Sequence, residues 1–256
     1  MNFFFALNFK NFNCKITIPK FTNEGKKLKN ISLFSCKIKN DNWFIKKYEY
    51  KEDNNFFYVN VIPDDSDNVF FINEDFFKID EEVNISELKQ FYKIKTNFTF
   101  RANLRIYNNE NGSSSYQSEY PFEMSNKKGS ILSTVSSFIN EQSHNFIAFR
   151  QIHYLPIKKP FKTYLVDLLT EEILLTNTFY TNSTNIVNLS KVKFSKNTVF
   201  YADGFLGIPI FISYRENYGV SMEHSHPPHL YIQSKNKFEI VSNLKNKVKK
   251  IVGRKY

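Results

Sequence analysis

Residues 97–107 read NFTFRANLRIY, and no other stretch restricts the fold as tightly. Phe98, Phe100, Ala102, Leu104 and Ile106 alternate with Thr99, Arg101, Asn103, Arg105 and Tyr107. Successive side chains of a strand point to opposite faces, so a period of two predicts a half-buried strand. Arg101 and Arg105 then share the polar face with Tyr107 as a small basic-aromatic stripe. The same alternation runs through FNCKITIPKF, where Cys14, Ile16 and Ile18 alternate with Lys15 and Thr17, and through ISLFSCKIK.

Further strands are expected in WFIKKYEYK, NNFFYVNVI, VFFI, FIAFRQIHYL, FKTYLVDLL and GVSMEH. SSSYQSEY reads as the hairpin partner of the 97–107 strand. LVDLLTEEILLTNTFYT reads as a hairpin turning near residues 170–172. NTVFYADGFLGIPIFISY reads as two strands broken by Gly204 and Gly207.

Composition points the same way. The chain holds 28 Phe, 15 Tyr and 31 Asn but only 4 Ala, a bias that codon usage in an AT-rich genome explains. Ala is the best helix former, so its scarcity favours strands and leaves Phe to fill the core.

Three helices are nonetheless expected. Asn84 and Glu87 resemble a capping box ahead of Leu88 and Phe91. Residues 130–142 place Ile131, Leu132, Val135, Phe138 and Ile139 at helical spacing behind Ser130. In the C-terminal segment Phe238, Val241, Leu244, Val248 and Ile251 line one side, with Ser234 as cap and Gly253 just past the end.

The sum is a β-rich α+β fold: antiparallel, sandwich-like sheets with two short internal helices and a basic C-terminal amphipathic helix. A composition shift near residue 95 suggests two β-rich halves, 1–95 and 96–256.

Charge is unevenly spread along the chain, whose net value is +10. Residues 1–40 and 235–256 are each +7, and they flank an acidic segment at 41–90 that is −8. Basic ends suit a polyanionic partner, RNA or an acidic protein surface. The acidic segment folding against a basic end is the competing explanation. Candidate polyanion-binding residues are Lys245, Lys247, Lys249, Lys250, Arg254 and Lys255 on the terminal helix, with Arg101 and Arg105.

No apolar run reaches the length that crosses a membrane, and the N-terminus lacks a basic region ahead of its apolar residues. Cys14 and Cys36 are the only cysteines and read as reduced. The expected setting is intracellular and soluble: a bacterial cytoplasm, an organelle matrix or a virus-derived protein, not secreted.

EHSHPPH at 223–229 is the other candidate site. In a strand His224 and His226 lie on one face, about 6.6 Å apart. Pro227 and Pro228 favour a polyproline turn that sets His226 and His229 on one side, roughly 9 Å apart. Three imidazoles with Glu223 suit a single divalent metal, zinc or iron. His153, Glu119 and Glu123 are possible outside contributors. The same prolines also end a strand at a sheet edge without any metal.

No Walker A motif, dinucleotide fingerprint or G-x-S-x-G elbow occurs. The G-x-x-G of DGFLGI lies between strands with apolar middle residues, unlike the RNA-clamping loop of that pattern. The leading expectation is a non-enzymatic binding or structural subunit of a larger assembly, contacting RNA or an acidic protein surface. The alternative is a metal-dependent enzyme built on EHSHPPH.

Overall fold

The structure is a computed structural model that describes residues 2–10, 12–48, 51–62, 65–74, 83–85, 87–88, 101–109, 112–135, 142–224 and 228–254. The chain divides into two compact units. The first comprises Met1–Asn126, Ile152–Lys158 and Asn182–Thr184; the second comprises Lys127–Gln151, Lys159–Thr181 and Asn185–Tyr256. The division expected between residues 95 and 96 lies outside the described residues.

In the first unit the strands are β1 (Asn2–Phe5), β2 (Asn13–Pro19), β3 (Ile31–Lys39), β4 (Asn42–Lys47), β5 (Lys51–Glu52) and β6 (Phe56–Val61). They continue with β7 (Val69–Glu74), β8 (Val83–Ile85), β9 (Asn103–Asn108), β10 (Gly112–Gln117) and β11 (Glu119–Pro121). One antiparallel sheet has the order β11-β1-β7-β3-β4-β8, and the other β10-β9-β2-β6-β5.

The two sheets read differently because they are buried differently. In the six-stranded sheet Ser32–Cys36 of β3 are all buried, as are residues 69–73 of β7. A strand covered on both faces needs apolar side chains in both directions, which explains the unbroken FFFA and VFFI runs. The five-stranded sheet alternates. Cys14, Ile16 and Ile18 of β2, Phe57 and Val59 of β6, and Leu104 and Ile106 of β9 are buried, while the residues between them face water.

Asn182 holds the two later excursions of the chain into this unit. Its side-chain oxygen accepts the His153 N–H at 2.7 Å, and its amide donates to the carbonyls of Leu155 (2.9 Å) and Ile157 (3.0 Å). Nearby, Trp43 donates its indole N–H to the Tyr154 carbonyl at 2.9 Å, and Lys158 pairs with Asp67 at 2.9 Å.

The second unit holds β12 (Ser130–Thr134), β13 (His144–Arg150), β14 (Pro160–Asp167), β15 (Glu172–Tyr180), β16 (Thr184–Asn188), β17 (Thr198–Asp203), β18 (Ile208–Arg215) and β19 (Gly219–His224). The helix α1 (Lys237–Gly253) ends it. The sheet orders are β12-β17-β14-β15 and β16-β13-β18-β19. One apolar cluster draws Phe161, Leu165, Phe200 and Ala202 from the first sheet and Ile147, Phe149, Val187 and Phe211 from the second. A second cluster joins Leu132, Tyr164, Val166, Val199 and Tyr201 to Val248 and Ile251 of α1. The β12-β17-β14-β15 sheet therefore has a core on each face, and α1 covers one of them.

Gly204 and Gly207 separate β17 from β18 as expected. Gly204 sits at φ +94°, and a Cβ on Gly207 would come within 2.4 Å of the Phe149 ring.

Three expectations need correction. Ser130–Thr134 is a strand paired with β17, not the start of a helix. Ile131 packs into one cluster and Leu132 into the other, so apolar residues occupy both faces and mimic helical spacing. The rest of that expected helix beyond residue 135 lies outside the described residues, apart from residue 142. Asn84 sits in β8, opposite Phe44, and not at a helix cap; of the residues after it, only 85 and 87–88 are described. In α1 the N-cap is Asn236, because Ser234 turns back to accept the Asn236 N–H at 3.2 Å, and Gly253 is the last helical residue.

The expected apolar stripe of α1 holds for Val241, Val248 and Ile251, which are buried. Phe238 instead is 65 % exposed, its ring 5.0 Å from that of His229. Ile251→Ala should therefore cost roughly 2–4 kcal/mol of unfolding free energy, and Phe238→Ala less than about 1 kcal/mol. Urea unfolding of the two variants checks the difference; equal losses would mean that α1 is not docked this way.

Candidate polyanion-binding surface

EHSHPPH begins at the end of β19. Glu223 pairs across the sheet with Phe211, and His224 with Ile210. One Glu223 carboxylate oxygen accepts the His224 backbone N–H at 2.9 Å and lies 3.2 Å from His224 Nδ1. His229 lies in the short 3-10 turn Pro228–Leu230, against Phe238. His226 lies outside the described residues, as does Pro227. Among the described residues no three His, Cys, Asp or Glu side chains are grouped to hold a metal ion. Cys14 and Cys36 are buried free thiols, and burial pushes the Cys14 thiol up to about 12.

The outside contributors fall in the first unit. His153 is buried and its Nδ1 accepts the Leu155 N–H at 3.1 Å. Glu119 accepts the Ala102 N–H at 3.3 Å, and burial raises its carboxyl above the usual range. Glu123 is exposed in a 3-10 turn after β11.

The basic side of α1 is built differently. With Val248 and Ile251 turned into the sheet, the lysines occupy the remaining faces. Lys245 donates to the Ser130 carbonyl at 2.6 Å, and burial holds its ammonium below the usual lysine range. Lys247 donates to the Leu168 carbonyl at 2.8 Å and lies 3.6 Å from the Glu171 carboxylate. Arg254 donates to the other Glu171 oxygen at 2.7 Å, and Lys249 lies 3.8 Å from Asp203. Lys250 is exposed in the last turn, where the helix dipole favours a cation. Lys255 lies outside the described residues.

Asn243, Asn246, Lys247, Lys250 and Arg254 line a cleft of about 610 Å³ beside Glu171. The Arg254 guanidinium, first by hydrogen bond and then by charge, holds the Glu171 carboxyl below the usual carboxylate range. These ion pairs are exposed and screened by solvent, so each contributes little to stability and exchanges readily with an external anion.

The turn that carries Glu171 is set by Asp167. One carboxylate oxygen accepts the N–H groups of Leu169 (2.8 Å) and Thr170 (3.1 Å), and the other accepts the Ser195 hydroxyl at 2.5 Å. Sequence reading missed this role, although an Asp opening a turn is a recognisable signal. It could not have found the Glu171–Arg254 pair, whose partners are 83 residues apart.

Arg105 projects from β9 into solvent. It donates to the Ser113 hydroxyl at 3.0 Å, and its guanidinium carbon lies 5.5 Å from the Tyr107 ring centroid. Arg101 is exposed and precedes the strand.

Among the described residues no helix is long and apolar enough to cross a membrane. Compared with protein-family models, with curated proteins and with solved structures, the chain matches none.

The Ser195 hydroxyl bond, then the Thr170 N–H, holds the Asp167 carboxyl below its usual range. A depressed carboxyl adds stability above its ordinary pKa, near 4, and loses it as pH falls through the lower folded value. Asp167→Asn should thus destabilise the protein at pH 7 by roughly 1–3 kcal/mol, and the gap to the parent should narrow towards pH 3. Denaturant midpoints at the two pH values measure this; a constant gap would contradict the assignment.

Proposed function

We propose that this chain is a non-enzymatic binding or structural subunit of a larger assembly, and that it grips a polyanion with the basic side of α1. RNA and an acidic protein surface both fit. Paired sheets, sandwich-like within each unit, serve as the rigid support in this reading. The observation that carries it is the way α1 is used. Its buried residues are committed to its own sheet, so Lys247, Lys249, Lys250 and Arg254 are left around an open cleft. Glu171 and Asp203 hold some of these cations in place without burying them.

The test is titration of labelled heparin or polyuridylate at several salt concentrations. Changing Lys249 and Lys250 together to alanine should weaken binding. It should also make the dependence of log affinity on log salt shallower by about 0.7–0.9 per contact removed. An unchanged slope would sink the helix as the binding surface.

A second reading, a metal site at EHSHPPH, rests on the contact between Glu223 and His224. A carboxylate on Nδ1 fixes the ring tautomer and directs the Nε2 lone pair outward, as around many bound metals. Glu223 would then orient a ligand, and His224, His226 and His229 would supply the nitrogens for zinc or iron. Metal analysis of the purified protein beside a variant with all three histidines changed to alanine decides it. Stoichiometric metal lost in the variant is expected; metal content unaffected by the change would overturn it.

A further inference from the structure

We infer that the open face of the β10-β9-β2-β6-β5 sheet binds single-stranded RNA, stacking bases on Tyr58 and Tyr107 and placing phosphates on Lys15 and Arg105. This is a second surface, in the first unit, and it extends the binding reading without depending on α1.

The face is defined by register. Asn60, Lys15, Arg105 and Ser115 lie side by side on β6, β2, β9 and β10. Two residues along, Tyr58 lies opposite Thr17 on one side and Lys51 on the other. Two residues along in the other direction, Asn13 lies opposite Tyr107. All of these point away from the buried residues of the same strands. None is an acid. At the rim of the face, Asp53 accepts the Tyr58 hydroxyl at 2.7 Å.

Three features favour single-stranded RNA. First, the rings offer their faces. The Lys15 ammonium lies 4.5 Å from the Tyr58 ring centroid, and the Arg105 guanidinium carbon 5.5 Å from that of Tyr107. A cation in that position requires the π face to be turned towards it. Bases present the same kind of planar surface, and stacking on such rings is tolerant of sequence. Second, the spacing fits a strand and not a single base. Strand separation and rise put Tyr58 and Tyr107 about 16 Å apart, with the Lys15–Arg105 row between them. That places cations where the backbone joining two stacked bases must pass. A duplex hides its bases and would leave both rings unused. Third, Asn60 and Ser115 flank the cations in the same row. They supply amide and hydroxyl groups that both donate and accept, as a 2′-hydroxyl requires.

The experiment is fluorescence anisotropy of labelled oligouridylate with the full chain, beside RNA duplex, oligothymidylate and polyglutamate. Tyr58→Ala and Tyr107→Ala should each weaken oligouridylate binding by about 5- to 100-fold. Tyr107→Phe, which keeps the ring, should stay within about twofold of the parent. Lys15→Gln and Arg105→Gln should each make the salt dependence shallower by about 0.7. These are surface side chains, so circular dichroism and the melting temperature should match the parent; the Gln variants carry the test if an Ala variant fails to fold. The Lys249 and Lys250 double variant should leave the loss caused by Tyr107→Ala intact, which separates this site from α1. Oligouridylate affinity unmoved by the tyrosine and glutamine variants would overturn the site. Equal or tighter binding of duplex, oligothymidylate or polyglutamate would overturn single-stranded RNA as its ligand.

Discussion

The β12-β17-β14-β15 sheet is buried on both faces, and the arrangement of the second unit follows from that. Along β14, Phe161 and Leu165 enter one cluster and Tyr164 and Val166 the other. β17 divides the same way, with Phe200 and Ala202 on one side and Val199 and Tyr201 on the other. A sheet with apolar residues on both sides needs two covers. The β16-β13-β18-β19 sheet provides one and α1 the other. Because α1 must turn Val248 and Ile251 inward, its lysines have only the outer faces left. The basic surface is thus a consequence of how the sheet is covered.

The same double burial marks where the sequence was hardest to read. Half-buried strands announced themselves: β2 and β9 show their alternation directly, and ISLFSCKIK coincides with β3 from end to end although that strand is buried on both faces. The hairpin of β14 and β15 and the break at Gly204 and Gly207 were legible because turn residues punctuate them. β12 was not, since Ile131 and Leu132 serve two different cores and their spacing imitates a helix. For α1 the existence of the helix was clear. Its cap and the placement of Phe238 were not, because both depend on Ser234 and His229 making local contacts that propensity does not encode.

The candidate surfaces were legible only in part, for a related reason. Sequence places Arg105 and Tyr107 on one face of one strand. Joining them to Lys15 and Tyr58 requires the order of strands in the sheet, which no local pattern specifies. The lysines of α1 were visible as a run, but their acidic neighbours were not. Glu171 and Asp203 come from distant turns and strands, while the broad acidic segment at 41–90 suggested compensation of another kind. Net charge per segment is a poor guide to local field when the neutralising group is a single residue brought in by topology.

The difference between the two basic surfaces lies in what the cations rest against. On α1 they face carboxylates and carbonyl oxygens, so an incoming anion must compete with existing partners, and only the exposed pairs are weak enough to yield. On the open sheet Lys15 and Arg105 lie against aromatic rings. A cation over a ring keeps nearly all of its charge available, and moving it aside to a phosphate uncovers the ring face for a base. Charge and stacking surface are released in the same motion. A bare anion can use only the first of these, and a single strand of RNA can use both.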